Sequence, residues 1–128
     1  MGAADEPMGG RGWTVVGLAL ASMLAAAPAA ARSPKPIAGT AAYYSKGYHG
    51  LTASGARYDP NKFTCAHRTL PFGTHVRVTD VRTHRSVVVT VNDRGPFTKG
   101  RVIDLSLAAA KELHMLDRGV IRVTAAIQ

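Results

Sequence analysis

Val76-Arg77-Val78-Thr79-Asp80-Val81, Arg82-Thr83-His84-Arg85 and Ser86-Val87-Val88-Val89-Thr90-Val91 follow one another as a strand, a turn and a second strand. The first run alternates apolar and polar residues with period two, as a strand with one face in a core does. The second is rich in valine, whose β-branched side chain favours extended backbone. The pair reads as a hairpin whose second strand is largely buried, and Asp80 is placed on the outward side of the first.

Outward from the hairpin, short apolar stretches separated by turn residues continue the pattern. Ala38 to Tyr44 reads as a first strand ending at Ser45-Lys46-Gly47, and Gly50-Leu51-Thr52-Ala53-Ser54-Gly55 as a hydroxyl-rich loop or irregular strand beside a groove. Arg101-Val102-Ile103 gives a further strand and Gly119 to Ile127 a last one. Between these two, Ser106 can cap a helix over Leu107 to Leu113, because its hydroxyl can accept an unpaired first-turn N–H. One helix among about six strands suggests a small barrel rather than a sandwich.

Residues from Trp13 to Ala27 form an uncharged, alanine-rich run of 15, short of the roughly 20 residues that a membrane-spanning helix needs. Ala27-Pro28-Ala29 and Ala29-Ala30-Ala31 then offer cleavage sites of the A-x-A kind, so residues 1–31 read as a signal peptide. Asp5 and Glu6 are unusual in the charged leader of such a peptide, and a start at Met8 would give a more ordinary one. Ser33-Pro34-Lys35-Pro36 falls in a short linker, residues 32–37, and residues 38–128 form one domain. The expected product is exported, periplasmic or secreted, with no membrane insertion after cleavage. With no cysteine near the cleavage region, it is not expected to be lipid-anchored. A monomer is expected.

From Arg32 onward the chain carries 15 Lys/Arg against 6 Asp/Glu, a net charge of +9 with neutral histidines. Such a charge favours a polyanionic partner. The basic residues are scattered, and nothing matches a helix-turn-helix, zinc-finger or RNA-binding sheet, so nucleic acid is not the expected partner. Cell-wall polymers, acidic peptide stems and anionic lipid head groups are what an exported chain meets. Cys65, the only cysteine, reads as a buried filler residue. The five histidines offer no closely spaced pair and no second thiolate, so neither a metal nor another cofactor is expected.

Asp93 is the leading candidate for chemistry. It stands at the end of the valine-rich strand, where partial desolvation favours the neutral, proton-donating form of a carboxyl. Arg94 faces the other side of the strand and need not pair with it. Local sequence leaves open the alternative that Asp93 only caps the Arg94-Gly95-Pro96 turn. His67, just before Leu70-Pro71-Phe72-Gly73, could bind a substrate hydroxyl or assist proton transfer, or be a structural donor. Tyr43, Tyr44, Tyr48 and Tyr58 flank the hydroxyl-rich loop and could stack on sugar rings or fill the core. Asp104 suits a helix start, and Asp59 a turn. No Gly-x-Ser-x-Gly surrounds Ser54 or Ser86, which removes a serine-protease reading.

Taken together, Ala42-Tyr43-Tyr44, His49-Gly50-Leu51-Thr52-Ala53-Ser54-Gly55, Ala66-His67-Arg68-Thr69-Leu70-Pro71-Phe72-Gly73-Thr74, Val91-Asn92-Asp93-Arg94-Gly95-Pro96 and Gly100-Arg101-Val102-Ile103-Asp104-Leu105-Ser106 resemble the rare lipoprotein A (RlpA) family. The resemblance runs from about Gly39 to the C-terminus. It implies a mainly β fold, a six-stranded double-psi β-barrel with one short helix, related to expansins. It also implies endolytic lytic transglycosylation of peptidoglycan: cleavage of the MurNAc-GlcNAc bond with formation of 1,6-anhydro-MurNAc ends, in some members on strands stripped of stem peptides. By position Asp93 matches the acid/base aspartate and His67 a histidine of the active groove. Tyr44, Thr52, Ser54 and Arg94 are the expected substrate contacts. The sequence departs from the family at Ala56, where a glutamate commonly follows Thr-Ala-Ser-Gly. That departure supports an alternative, a non-catalytic expansin-like wall-binding module.

Overall fold

The computed structural model describes residues 35–128. The expected signal peptide, residues 1–31, and the start of the expected linker lie outside them. Among the described residues there are six strands: β1 (Ile37–Tyr43), β2 (Thr64–Ala66), β3 (His75–Asp80), β4 (Ser86–Asp93), β5 (Arg101–Leu105) and β6 (Ile121–Ile127). One short helix, α1 (Leu107–Glu112), lies between β5 and β6.

The strands close into a barrel in the order β1-β5-β2-β4-β3-β6. β1 pairs with β5, and β2 with β4, in parallel; the other four pairings are antiparallel. Closure leaves no strand with an unpaired edge, which a sheet this small would otherwise expose. The expected mixture of a six-stranded barrel and one helix is therefore what forms.

Alternation fills the interior. Val76 and Val78 from β3, Val87, Val89 and Val91 from β4, Ile103 and Leu105 from β5 and Val123 from β6 are buried, with Leu113 and Met115 closing the helix side. Residues between them point outward. Val88 is 37% exposed, so the valine-rich strand is buried on one face only and not on most of its surface. The barrel wall, with solvent outside it, is the reason.

Asp80 corrects the outward placement. It shares the parity of Val76 and Val78, so it points inward and is fully buried. Its charge is met by Arg118, whose Nη2 donates to Oδ2 at 2.6 Å, and by the Arg82 N–H on Oδ1 at 2.9 Å. Burial by itself would raise the Asp80 carboxyl, but bonds from Arg118, Arg82 and Thr83 outweigh it and hold the group below the usual carboxylate range.

The helix begins as expected. Ser106 Oγ accepts from the Ala109 N–H at 3.3 Å, and Leu113 forms the C-terminal cap. Asp104 does not serve this helix start. It lies within β5 and pairs with Arg101.

Candidate active site

Asp93 is the last residue of β4, and the sheet aims it. Cys65 of β2 faces Val91 in the core, a bulge follows, and Ala66 then faces Asp93. The bulge absorbs one residue. It turns Asp93 onto the face that carries Ala66 rather than the core face that carries Cys65. Ala66 also faces Asp104 on β5, so a small residue separates two carboxylate-bearing strands.

The Asp93 carboxylate has three donors. Oδ1 accepts the backbone N–H of Ala53 at 2.7 Å and that of Arg94 at 2.9 Å, and Oδ2 accepts the Tyr44 hydroxyl at 2.5 Å. A carboxylate offers two lone pairs on each oxygen. Oδ1 is thus filled by two backbone donors, and Oδ2 keeps one direction open after Tyr44. That open direction is where a proton can sit and be passed on.

The donor loop is built from the hydroxyl-rich segment. Leu51 bridges to Arg57. Within the loop, the Thr52 N–H and Oγ1 both donate to the Ala56 carbonyl at 2.8 Å, and the Gly55 N–H returns to the Thr52 carbonyl at 2.9 Å. Gly55 has φ +94°, in the left-handed region that side chains disfavour. The Ser54 N–H donates to the Asn92 carbonyl at 3.2 Å, tying the loop to β4 beside Asp93. Thr52 is buried with its hydroxyl used inside the loop, including a 2.9 Å contact to Ser54 Oγ, while Ser54 is exposed. Of the two, only Ser54 reaches the surface.

Tyrosines bank one side of Asp93. Tyr44 stacks on Tyr58 with ring centroids 4.4 Å apart, and Tyr48 tilts against both at 5.5 Å. Tyr58 is buried, its hydroxyl accepting from the Leu107 N–H at 3.0 Å. Tyr48 remains part-exposed as a sugar-sized face. Tyr43 lies on the opposite face of β1, donating to the Leu116 carbonyl at 2.8 Å. Burial first, then the bond to Asp93 and its charge, push the Tyr44 phenol far above its ordinary range, so Tyr44 stays a hydroxyl donor.

On the other side, Arg94 turns away from the Asp93 carboxylate, as strand alternation requires. Its Nη1 donates to the His67 carbonyl at 3.1 Å and the Leu70 carbonyl at 2.8 Å, and its guanidinium lies 4.1 Å from the Phe72 ring centroid. Arg94 thus ties down the 67–72 loop through Nη1. Phe72 and Phe97 carry exposed rings, each in a turn segment with no strand to bury it.

His67 is joined to Asp93 through the backbone, its N–H donating to the Asp93 carbonyl at 3.1 Å. Burial, then the charges of Arg68 and Arg94, hold the imidazole below its usual range. Cys65 is buried and its thiol pushed up to about 12, first by burial and then by the charge of Asp104, so it is a poor nucleophile. Asp59 accepts the Asn61 N–H at 2.9 Å, a turn role. Ala56 is exposed. Among the described residues no group of three or more His, Cys, Asp or Glu could hold a metal ion.

A family model described as lytic transglycolase matches residues 37–125. A Synechocystis protein named as a probable endolytic peptidoglycan transglycosylase RlpA is 54% identical over 93 residues, 72% of this chain and 29% of that protein. The endolytic peptidoglycan transglycosylase RlpA of Pasteurella multocida is 52% identical over 83 residues, 64% of this chain and 28% of its own length. The chain thus spans less than a third of either relative. Among solved structures, a Streptomyces papain inhibitor superposes with TM-score 0.61 at 28% identity, over 75% of this chain and 96% of that one. A mutant Clavibacter michiganensis expansin in complex with cellohexaose gives TM-score 0.58 at 21% identity, over 73% and 50%. This second likeness is one of fold.

Proposed function

The chain belongs to the lytic transglycolase family, as an RlpA-like double-psi β-barrel, and from that premise we propose that residues 38–128 cleave peptidoglycan glycan strands with Asp93 as the single acid and base. The observation that carries this reading is the occupancy of the Asp93 carboxylate: three fixed donors, and one open direction on Oδ2.

In the proposed reaction Oδ2–H gives its proton to the glycosidic oxygen as the bond from the MurNAc anomeric carbon to that oxygen breaks. The GlcNAc end leaves as an alcohol. Asp93, now a carboxylate, takes the proton of the MurNAc C6 hydroxyl while that oxygen closes on the anomeric carbon. The 1,6-anhydro ring forms, Asp93 regains its proton, and no water is consumed. An intramolecular nucleophile needs no second carboxylate to activate water. Tyr44 supports the carboxylate stage, since a hydroxyl donor is worth most when its acceptor is charged. Tyr48, Ser54, Phe72 and Phe97, all exposed, are the proposed contacts for the sugar rings.

The substrate is then the glycan of the cell wall, reached after export through the leader at residues 1–31 and the linker at 32–37. A product with an anhydro terminus, identified by mass spectrometry after digestion of purified peptidoglycan, tests the reading. Ala56 favours one alternative, a wall-binding module without turnover. In that case the protein sediments with insoluble peptidoglycan, is released by salt, and yields no anhydro product.

A further inference from the structure

His67 Nδ1 accepts two backbone N–H groups of its own loop, from Thr69 at 3.2 Å and Leu70 at 3.1 Å. A ring nitrogen that accepts carries no proton, so the proton of the neutral ring is on Nε2, at the edge turned away from the loop. The loop is held in this shape from outside. Arg94 binds the His67 and Leu70 carbonyls, while Arg68 Nε and Nη2 bind the carbonyls of Pro96 at 2.8 Å and Arg101 at 2.6 Å.

The charged groups around the ring are both cations, Arg68 on its own loop and Arg94 at the end of β4. Neither has a carboxylate partner among the described residues, where the ion pairs are Arg101–Asp104 and Arg118–Asp80. Ile37 of β1 and Val102 of β5 add only apolar surface. With Arg68, Thr69 and His67 they line a cleft of about 230 Å³. Asp93 directs its carboxylate to Tyr44, Ala53 and its own turn, and no hydrogen bond joins it to the imidazole.

We propose that His67 is a fixed, neutral Nε2–H donor that binds an oxygen of the glycan in this cleft and moves no proton, leaving the acid–base work to Asp93. Nε2 already holds its proton, so the ring could act as a base only by taking a proton on Nδ1, at the cost of two backbone bonds and against the charges of two guanidinium groups. The assignment rests on the glycan-cleaving reading for the identity of its ligand, but its tautomer can be measured without turnover.

Two-bond ¹⁵N–¹H NMR correlation on the full chain reads the tautomer directly. The result expected is bare Nδ1 and protonated Nε2 between about pH 7 and pH 8, with the Nε2–H resonance moving when glycan strands are added. An Nδ1–H tautomer, an imidazolium at about pH 7, or an Nε2–H signal unmoved by saturating glycan overturns the proposal. In turnover, His67→Asn keeps an acceptor near the place of Nδ1 but lacks the Nε2 donor, and His67→Gln restores a donor there. The glutamine variant is expected to form anhydro ends roughly tenfold faster than the asparagine variant, both with the pH profile of the wild type. Equal rates, or a profile that loses one ionisation in both variants, makes His67 structural or a proton carrier and overturns the proposal. Absence of anhydro products from the wild type would defeat the transglycosylase reading, and the NMR result would still decide the donor assignment.

Discussion

Tyr44 and Asp93, 49 residues apart in the chain, meet at 2.5 Å through the phenol and Oδ2. The contact assigns the two carboxylate oxygens different tasks, because the backbone of Ala53 and Arg94 fills Oδ1.

Tyr44→Phe removes that donor and keeps the stack on Tyr58. Loss of a hydrogen bond to a charged group costs about 1.5–3 kcal/mol, so turnover is expected to fall roughly 10- to 100-fold. Binding to glycan should change little. Initial rates over a range of glycan concentrations separate the two effects. Because Tyr44 is pushed above its ordinary range, the wild type should show no loss of activity from Tyr44 ionisation near pH 10.

Gly55→Ala tests how the Ala53 donor is positioned. A side chain at φ +94° costs about 1–2 kcal/mol, read as a lower thermal midpoint. If the loop shifts to relieve the strain, Ala53 N–H moves from Oδ1 and kcat falls more than KM rises.

The Asp80–Arg118 pair sets an acid limit on stability. The folded Asp80 carboxyl is held below its unfolded value, so its contribution is present above about pH 4 and is lost as pH falls through the lower folded value. Asp80→Ala removes that dependence and destabilises the barrel. With Arg118 26% exposed, the loss should be on the order of 2 kcal/mol, below the 3–5 of a fully buried pair. Urea unfolding of both proteins between about pH 3 and pH 7 checks the sign.

Ala56→Glu places a carboxylate on an exposed position of the loop that holds Asp93. Little change in stability is expected, since no packing is lost. If the alanine weakens a competent site, anhydro-product formation should rise by about tenfold or more. An unchanged rate in a folded variant removes Ala56 as the cause of slow turnover.

Much of the barrel was legible in sequence because alternation is a local signal. Val76 and Val78 alternate with Arg77 and Thr79, and Ser106 marks the helix. β2 escaped notice because Thr64, Cys65 and Ala66 are too few to show a period; their strand exists through its partners β4 and β5. Charge alone points Asp80 outward, but its parity with Val76 and Val78 points it inward, and Arg118, 38 residues away, meets its charge there. At the site, Asp93 was visible as a carboxylate ending an apolar strand. Its three donors were not, since Tyr44 and Ala53 reach it only through closure of the barrel and the turn at Gly55. Nor is the hold of Arg94 on the 67–72 loop legible locally, since its carbonyl partners lie 24 and 27 residues away.

The most direct test of a single acid and base at Asp93 is mass-spectrometric analysis of glycan products from the wild type and Asp93→Asn, with thermal unfolding to establish that both fold. The account predicts 1,6-anhydro-MurNAc ends from the wild type and their loss, by about 10³-fold or more, in the asparagine variant. Anhydro ends formed by Asp93→Asn at the wild-type rate would contradict it.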